Sequence, residues 1–337
     1  MLEKRFLNIT REQLTDFDTL STVIKDNPIE KLVISFFMMS HFKEQYDEYV
    51  LDKSRVIEFT DSTQNIIQTS QNIKISISEM LWSDRGTHWG FVKEAKDHWD
   101  DYTKVYNMLC DDLSRQTLNS IWLARLLIDN SYMYPVYQPI HYFDWNVLVK
   151  RDLAVFVDCG AYDGDTVKNF VRYYGDDYKR IFAYEPTPDT FVKLREAAAP
   201  FRDVVFRNCG VGELEGNLSF YTNVYADIEG GANFIDNFGL GSGDTSIPIV
   251  SLDNDIKEPI SFIKMDVEAS EMSALRGAKC HIINDKPQLA ISAYHLLEDL
   301  RVIPLLIHSY NNNQRFYLRS HEEGRYGELV FYADPCD

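Results

Sequence analysis

The sequence predicts an α/β fold, with a mostly parallel sheet in the C-terminal half and a mainly helical region before it. Two patterns carry this expectation. From residue 154 onward, short apolar runs rich in β-branched residues alternate with stretches of helical period, and βα units in succession build a parallel sheet. Upstream, over 101–129, apolar residues recur at helical spacing instead.

The first hundred residues, rich in Asn, Thr and Ser after Asp61, are expected to be mostly helical over 27–51, with short strands at 55–59 and 73–77. In the helical stretch 101–129, Leu118, Ile121, Trp122 and Leu126 fall on one face. Pro135 and Pro139 end it and lead through Tyr142 and Phe143 into the next domain. The boundary is therefore placed near residue 145: an accessory region at 1–100, a helical lead-in at 101–145 and the α/β domain at 146–337.

Within that domain AVFVDC (154–159) reads as a strand, and Val167, Phe170, Val171 and Tyr174, spaced i, i+3, i+4, i+7, as the helix after it. Residues 180–184 form the next strand. Thr187 then caps a helix that has Pro188 at its first position and Phe191, Leu194 and Ala198 as its apolar stripe. Further strands are expected at 204–208, 218–221, 248–252, 260–265 and 289–293. The runs 316–319 and 328–333, joined by a short polar turn with glycine, predict an antiparallel hairpin.

Composition excludes several classes. With 34 basic against 52 acidic residues, a net charge of −18, and no basic patch, the chain would repel a phosphate backbone, so nucleic acid is not expected as a partner. The longest apolar stretch, 32–39, falls well short of the roughly 20 residues that span a bilayer, and a soluble cytoplasmic protein is expected. The cysteines number five and lack C-x-x-C spacing, which indicates neither a zinc site nor a disulfide framework.

In an open α/β sheet, ligands bind where the chain leaves a strand for a helix. The first such turn carries Asp158, Gly160, Tyr162, Asp163, Gly164 and Thr166, and its two glycines are expected to let an extended ligand lie against the backbone. The carboxylates of Asp158, Asp163 and Asp165 would repel a diphosphate, whereas S-adenosylmethionine (SAM) carries an ammonium and a sulfonium. The pattern D-x-G-x-x-x-G likewise departs from the G-x-G-x-x-G of dinucleotide folds. Glu185, 27 residues after Asp158 and followed by Pro186, stands at the next strand end, where an acid can accept hydrogen bonds from ribose hydroxyls. Taken singly, Asp158 and Glu185 also suit plain strand-end caps; together they favour the cofactor. Asn208 and Val211, after the third strand, suit an adenine wall or an ordinary turn. Tyr142 is added as a stacking residue, while Tyr137 and Phe143 suit a domain-joining plug.

These residues lie in stretches that resemble the FkbM family of SAM-dependent methyltransferases: VFVDCGAYDGDT (155–166), FAYEP (182–186), IPIVSLDN (247–254), FIKMDVEASE (262–271) and KPQLAISAYHLLEDLRVIP (286–304). The resemblance covers about residues 140–337 and implies a Rossmann-like class I methyltransferase, with a seven-stranded, mostly parallel sheet containing one antiparallel strand. One departure is Ala269, where the family's D-[IV]-E-G-x-E pattern has glycine; a Cβ there tightens the turn.

Methyl transfer needs acceptor and donor held in line, and a hydroxyl acceptor needs a base. His295, Asp266 and Glu268 stand at strand ends on the expected face. His295 is taken as the base because its unperturbed pKa of about 6.5 leaves it neutral at working pH; capping of the next helix is the alternative. Asp266 also suits the SAM amino group, and Glu271 an acceptor-side or structural role. No metal is indicated: oxygen ligands at Asp266 and Glu268 suit Mg²⁺, but nothing in the spacing demands it. The glycine-bearing segment 225–246 suits a lid.

The expected activity is O-methylation of a carbohydrate or other small polyhydroxylated acceptor. The rivals are a SAM-binding accessory subunit of glycan biosynthesis without activity and a nucleotide-sugar oxidoreductase. The N-terminal region suits a homodimer contact or docking to a glycan-assembly partner.

Overall fold

The computed structural model describes residues 7, 9–14, 16–39, 88–220 and 245–336. The expected strands at 55–59 and 73–77 and the segment 225–244 lie outside the described residues, as does the expected helix beyond residue 39. Two compact units emerge: one of Met1–Asn107, Asp112–Tyr137 and Glu322–Tyr326, the other of Met108–Asp111, Gln138–His321 and Gly327–Asp337.

The first unit is helical: α1 (Phe17–Asp26), α2 (Ile29–Met39), α3 (His88–Met108) and α4 (Asp112–Leu127). Asp16 caps α1 by accepting from Thr19 N at 2.8 Å. The expected face of Leu118, Ile121, Trp122 and Leu126 is buried. Trp122 meets Tyr102 edge-on at 4.7 Å and Trp99 at 5.5 Å, and Phe17 stacks on Trp99 at 5.1 Å. These aromatic pairs place α3 and α4 in one core; the expected break at residue 100 runs through a helix, and residues 101–107 and 112–137 of the lead-in cluster with the region before it. The long segment of the second unit begins at Gln138, a few residues ahead of the expected boundary. No helix among the described residues is long and apolar enough to cross a membrane.

The second unit is an α/β sandwich. Its elements are β1 (Ala154–Cys159), α5 (Asp165–Tyr174), β2 (Tyr178–Tyr184), α6 (Pro188–Ala198), β3 (Val204–Arg207), β4 (Gly210–Val211), β5 (Gly216–Phe220), β6 (Thr245–Val250), α7 (Leu252–Asp255), β7 (Phe262–Met265), α8 (Glu271–Gly277), α9 (Lys279–Asn284), β8 (Gln288–Ser292), α10 (Asp299–Tyr310), β9 (Gln314–Ser320) and β10 (Leu329–Pro335). Seven strands form one sheet in the order β3-β2-β1-β7-β8-β10-β9, parallel except for β10. The expected C-terminal hairpin is β9 and β10, paired antiparallel from Leu329 opposite Ser320 to Pro335 opposite Gln314.

Every residue of β1 is buried, as a strand covered by helices on both faces must be. Its Phe156 stacks on Phe170 of α5 at 4.3 Å, and Val167, Phe170 and Tyr174 are the buried side of that helix, as their spacing predicted. Each such buried ring contributes about 2–3 kcal/mol, more than an exposed ion pair, so this core and not the acidic surface holds the sheet. The expected strand 248–252 ends earlier than read: Val250 closes β6 and Leu252 opens α7. β4, β5 and β6 form a separate three-stranded sheet.

Candidate functional site

Two strand-end turns meet at the carboxyl edge of the main sheet. The first follows β1. Its backbone is tied to the end of β2, since Gly160 N and Ala161 N both donate to Tyr184 O at 3.0 and 2.9 Å. Gly160 has φ +78°, and a Cβ there would lie 1.8 Å from the carbonyl oxygen of Asp266. This glycine therefore lets the two turns touch, and it borders the cavity between them. Gly164, at φ +87°, similarly makes room for Leu194 and Ala197 of α6. Tyr162 holds φ +45° without being glycine. Its N–H donates to Glu185 Oε2 at 3.1 Å, and Thr187 N donates to Glu185 Oε1 at 2.8 Å. Burial pushes the Glu185 carboxyl up, against those hydrogen bonds.

Beneath this turn Lys264 of β7, fully buried, lies 3.1 Å from Asp158 Oδ1 and donates to Gly160 O at 2.6 Å. Burial disfavours the ammonium, but Asp158 and Asp266 outweigh it and hold Lys264 protonated. Asp158, expected at the cofactor, is buried as the counter-ion of Lys264 and does not border the cavity. Lys264 escaped the sequence reading, although a lysine inside the apolar run FIKM was the available signal: lysine is almost never fully buried unpaired.

The second turn follows β7. Asp266 accepts from the Tyr142 hydroxyl at 2.6 Å and from the Tyr294 hydroxyl at 3.3 Å. Burial works against its charge, yet Lys264, His295 and the Tyr142 hydroxyl hold its carboxyl below the usual range. Glu268 and Ala269 both adopt left-handed backbone, at φ +52° and +67°. The missing glycine is therefore felt: an L-residue there costs about 1–2 kcal/mol.

His295 departs most from expectation. Its Nε2 lies 3.4 Å from both Asp266 Oδ1 and Glu268 Oε2, and its Nδ1 3.0 Å from Glu271 Oε1. Burial lowers the ring's basicity, but Glu268, Glu271 and Asp266 overcome it and push the pKa up to about 11. In that setting the protonated ring is favoured, which counts against the free-base role expected from the sequence. The cause is tertiary: α8 presents Glu271 to the end of β8, where His295 follows.

Between the two turns lies a cavity of about 340 Å³. Of the residues singled out from the sequence, Tyr142, Gly160, Tyr162, Thr166, Glu185 and Pro186 border it, with Val211, Asp266 and Glu268. Asp163, Gly164 and Asn208 do not border it. Asp163 Oδ1 instead accepts from Asp165 N at 3.1 Å, and Asn208 Nδ2 donates to Glu185 O at 2.9 Å, so both are braces. The sequence reading missed Tyr294 and His141 in the wall. His141 stacks on Tyr142 at 3.8 Å, and burial, with His321 adding to it, lowers its pKa to about 3. Neither residue has a local pattern that would mark it. Asp165, Glu185, Asp266, Glu268 and Glu328 face the same space as Lys264, so carboxylates outnumber cations and the cavity suits a cationic ligand.

Residues 158–316 match the Methyltransferase FkbM domain. Among solved structures, the methyltransferase FkbM from Methylobacillus flagellatus KT is similar at 26% identity and a TM-score of 0.62, over 73% of this chain and 61% of that one. The chain thus corresponds to less than two thirds of that protein's length. A putative methyltransferase from Streptococcus mutans in complex with SAH aligns at 13% identity and a TM-score of 0.34, over 56% of this chain and 91% of its own. No curated protein matches.

Proposed function

We propose that this chain, whose residues 158–316 match the Methyltransferase FkbM domain, is a SAM-dependent O-methyltransferase acting on a hydroxyl of a carbohydrate or other small polyhydroxylated acceptor. The observation that carries the reading is the acidic cavity between the turns after β1 and β7, with Glu185 at its β2 edge.

The residues present fit SAM. Glu185, positioned by two backbone N–H groups, has lone pairs left for ribose hydroxyls. Val211 and Cys209 give an apolar wall, and the carboxylates around Lys264 suit the ammonium and sulfonium charges. When bound, SAM supplies an electrophilic methyl carbon whose bond to sulfur breaks as the acceptor oxygen attacks, the electron pair staying on sulfur.

The chain's task is mainly to position the acceptor. Asp266, held ionised and pinned by two tyrosine hydroxyls, is placed to accept a hydrogen bond from the acceptor hydroxyl. Glu268, with 36% of its side chain exposed, opens the route by which the hydroxyl proton leaves to solvent. His141 and Tyr294 offer ring faces of the kind that pack on sugars. His295 orders the carboxylates and is a positioning residue in this reading.

The test is calorimetric titration with SAM, followed by incubation with methyl-labelled SAM and a panel of sugars and polyols. We expect binding in the micromolar range that Glu185→Gln weakens by about tenfold or more, the equivalent of about 1.4 kcal/mol, and label recovered as a methyl ether. Absence of SAM binding by the unaltered chain would overturn the assignment. Binding with label recovered only on nitrogen or carbon would overturn its O-methyl part.

A further inference from the structure

We propose that the turn after β7 is a divalent transition-metal site, with Asp266, Glu271 and one ring nitrogen of His295 as its donors and Glu268 on its cavity side. The donor atoms of the first three lie within 4.8 Å of one another, the span of a single ion with bonds of about 2.0–2.4 Å.

Two further observations set this cluster apart from an ordinary group of acids. The His295 side chain is only 6% exposed and Glu271 only 1%, yet neither nitrogen of that ring makes a hydrogen bond of acceptable geometry, and Glu271 Oε2 has no partner. The ring lies at ion-pair distance from three carboxylates without being bonded to any of them. Buried polar atoms are almost always satisfied, so an arrangement with this many open positions at one point asks for a group that fills them together. The second observation is charge. Three carboxylates converge on one imidazole, and Lys264, the nearby cation, is already shared with Asp158. A divalent ion supplies the missing positive charge.

The donor set also selects the ion. One imidazole nitrogen with carboxylate oxygens suits Zn²⁺, Mn²⁺, Fe²⁺ or Co²⁺ better than Mg²⁺ or Ca²⁺, which take oxygen donors alone. The backbone fixes the ligands in advance: Val267 N donates to Glu271 Oε1 at 2.9 Å, and Asp266 is held by Tyr142. Asp266 and Glu268 border the cavity, so an ion here keeps a position open to it. On the O-methyltransferase reading, on which this last point rests, such an ion binds the acceptor hydroxyl and lowers its pKa.

The experiment is titration of the full chain, stripped with EDTA, with Co²⁺ followed by visible d–d absorption, and with Zn²⁺, Mn²⁺ and Mg²⁺ by calorimetry, SAM binding being measured on the same samples. We expect one Co²⁺ per chain with tetrahedral-type or five-coordinate absorption, Mg²⁺ much weaker than Zn²⁺, and affinity lowered by about tenfold or more in Asp266→Asn and His295→Gln. Glu268→Gln, at the most exposed of the carboxylates, should fold normally and still change the Co²⁺ spectrum. Absence of stoichiometric Co²⁺ binding, or binding that all three substitutions leave unchanged, would overturn the proposal. Metal binding without SAM binding would leave it standing while removing the methyltransferase reading, and SAM binding without metal binding would do the reverse.

Discussion

The turns after β1 and β7 lie side by side and face one cavity, but they are built by different means. The turn after β1 is shaped by backbone: two glycines at positive φ, hydrogen bonds from Gly160 N and Ala161 N to the end of β2, and a carboxylate in Glu185 that binds backbone N–H groups. The turn after β7 is shaped by side chains: Tyr142, Tyr294 and His295 from distant positions, with Lys264 of β7 itself, converge on Asp266, while Glu268 and Ala269 take left-handed conformations without glycine. One turn holds its form through conformational permission and the other through charge. The form of the first should change little when one side chain is replaced, whereas that of the second should respond to loss of a single charge.

The largest test falls where the turns are joined. Lys264→Met leaves Asp158 buried without its counter-ion, and losing one member of a buried pair costs about 3–5 kcal/mol. Urea unfolding should show that loss, and Asp158→Asn in the same chain should restore much of it. A loss under about 1 kcal/mol would mean that charge does not hold the junction.

The next effect belongs to the charge-built turn alone. The folded pKa of His295, about 11, stands above its unfolded value of about 6.5, so its contribution is full below pH 6.5 and is lost as pH rises through the folded value. In chelator-treated protein, the stability advantage of the unaltered chain over His295→Gln should shrink by about 1.4 kcal/mol per pH unit between pH 7 and 9. A constant difference across that range would show that the three carboxylates do not hold the ring protonated.

The smallest effect concerns Ala269. Glycine relieves about 1–2 kcal/mol of left-handed strain at φ +67° but adds about 0.4–1 kcal/mol of unfolded-chain entropy and gives up a buried methyl group. Ala269→Gly should therefore change stability by less than about 1 kcal/mol in thermal unfolding, the terms nearly cancelling. A clear loss would mark the methyl group as a packing contact that the turn requires.

Much of the fold was legible in the sequence because it rests on local periodicity. The first strand, both following helices, the Thr187-Pro188 start of α6 and the C-terminal hairpin all appear where short-range pattern placed them. The same holds for the position of the cavity, since βα turns with positive-φ glycines declare themselves, and for Glu185, which sits at a strand end. The roles inside the cavity were less legible. Asp158, Asp163 and Asn208, expected as ligand contacts, stand away from the cavity wall as a buried counter-ion and two braces, because whether a polar group at a strand end faces the cavity or the interior depends on what packs beneath it.

The sequence by itself therefore determined the order of strands and helices and the carboxyl edge at which the cavity opens, both of which follow from patterns among residues close in the chain. Only the tertiary structure decided that Lys264 is paired with Asp158, that His141 and Tyr294 line the wall, and that His295 is enclosed by three carboxylates. The protonation of a group is set by burial and by charges within a few ångströms, and at this site those charges come from strands and helices far apart in the sequence.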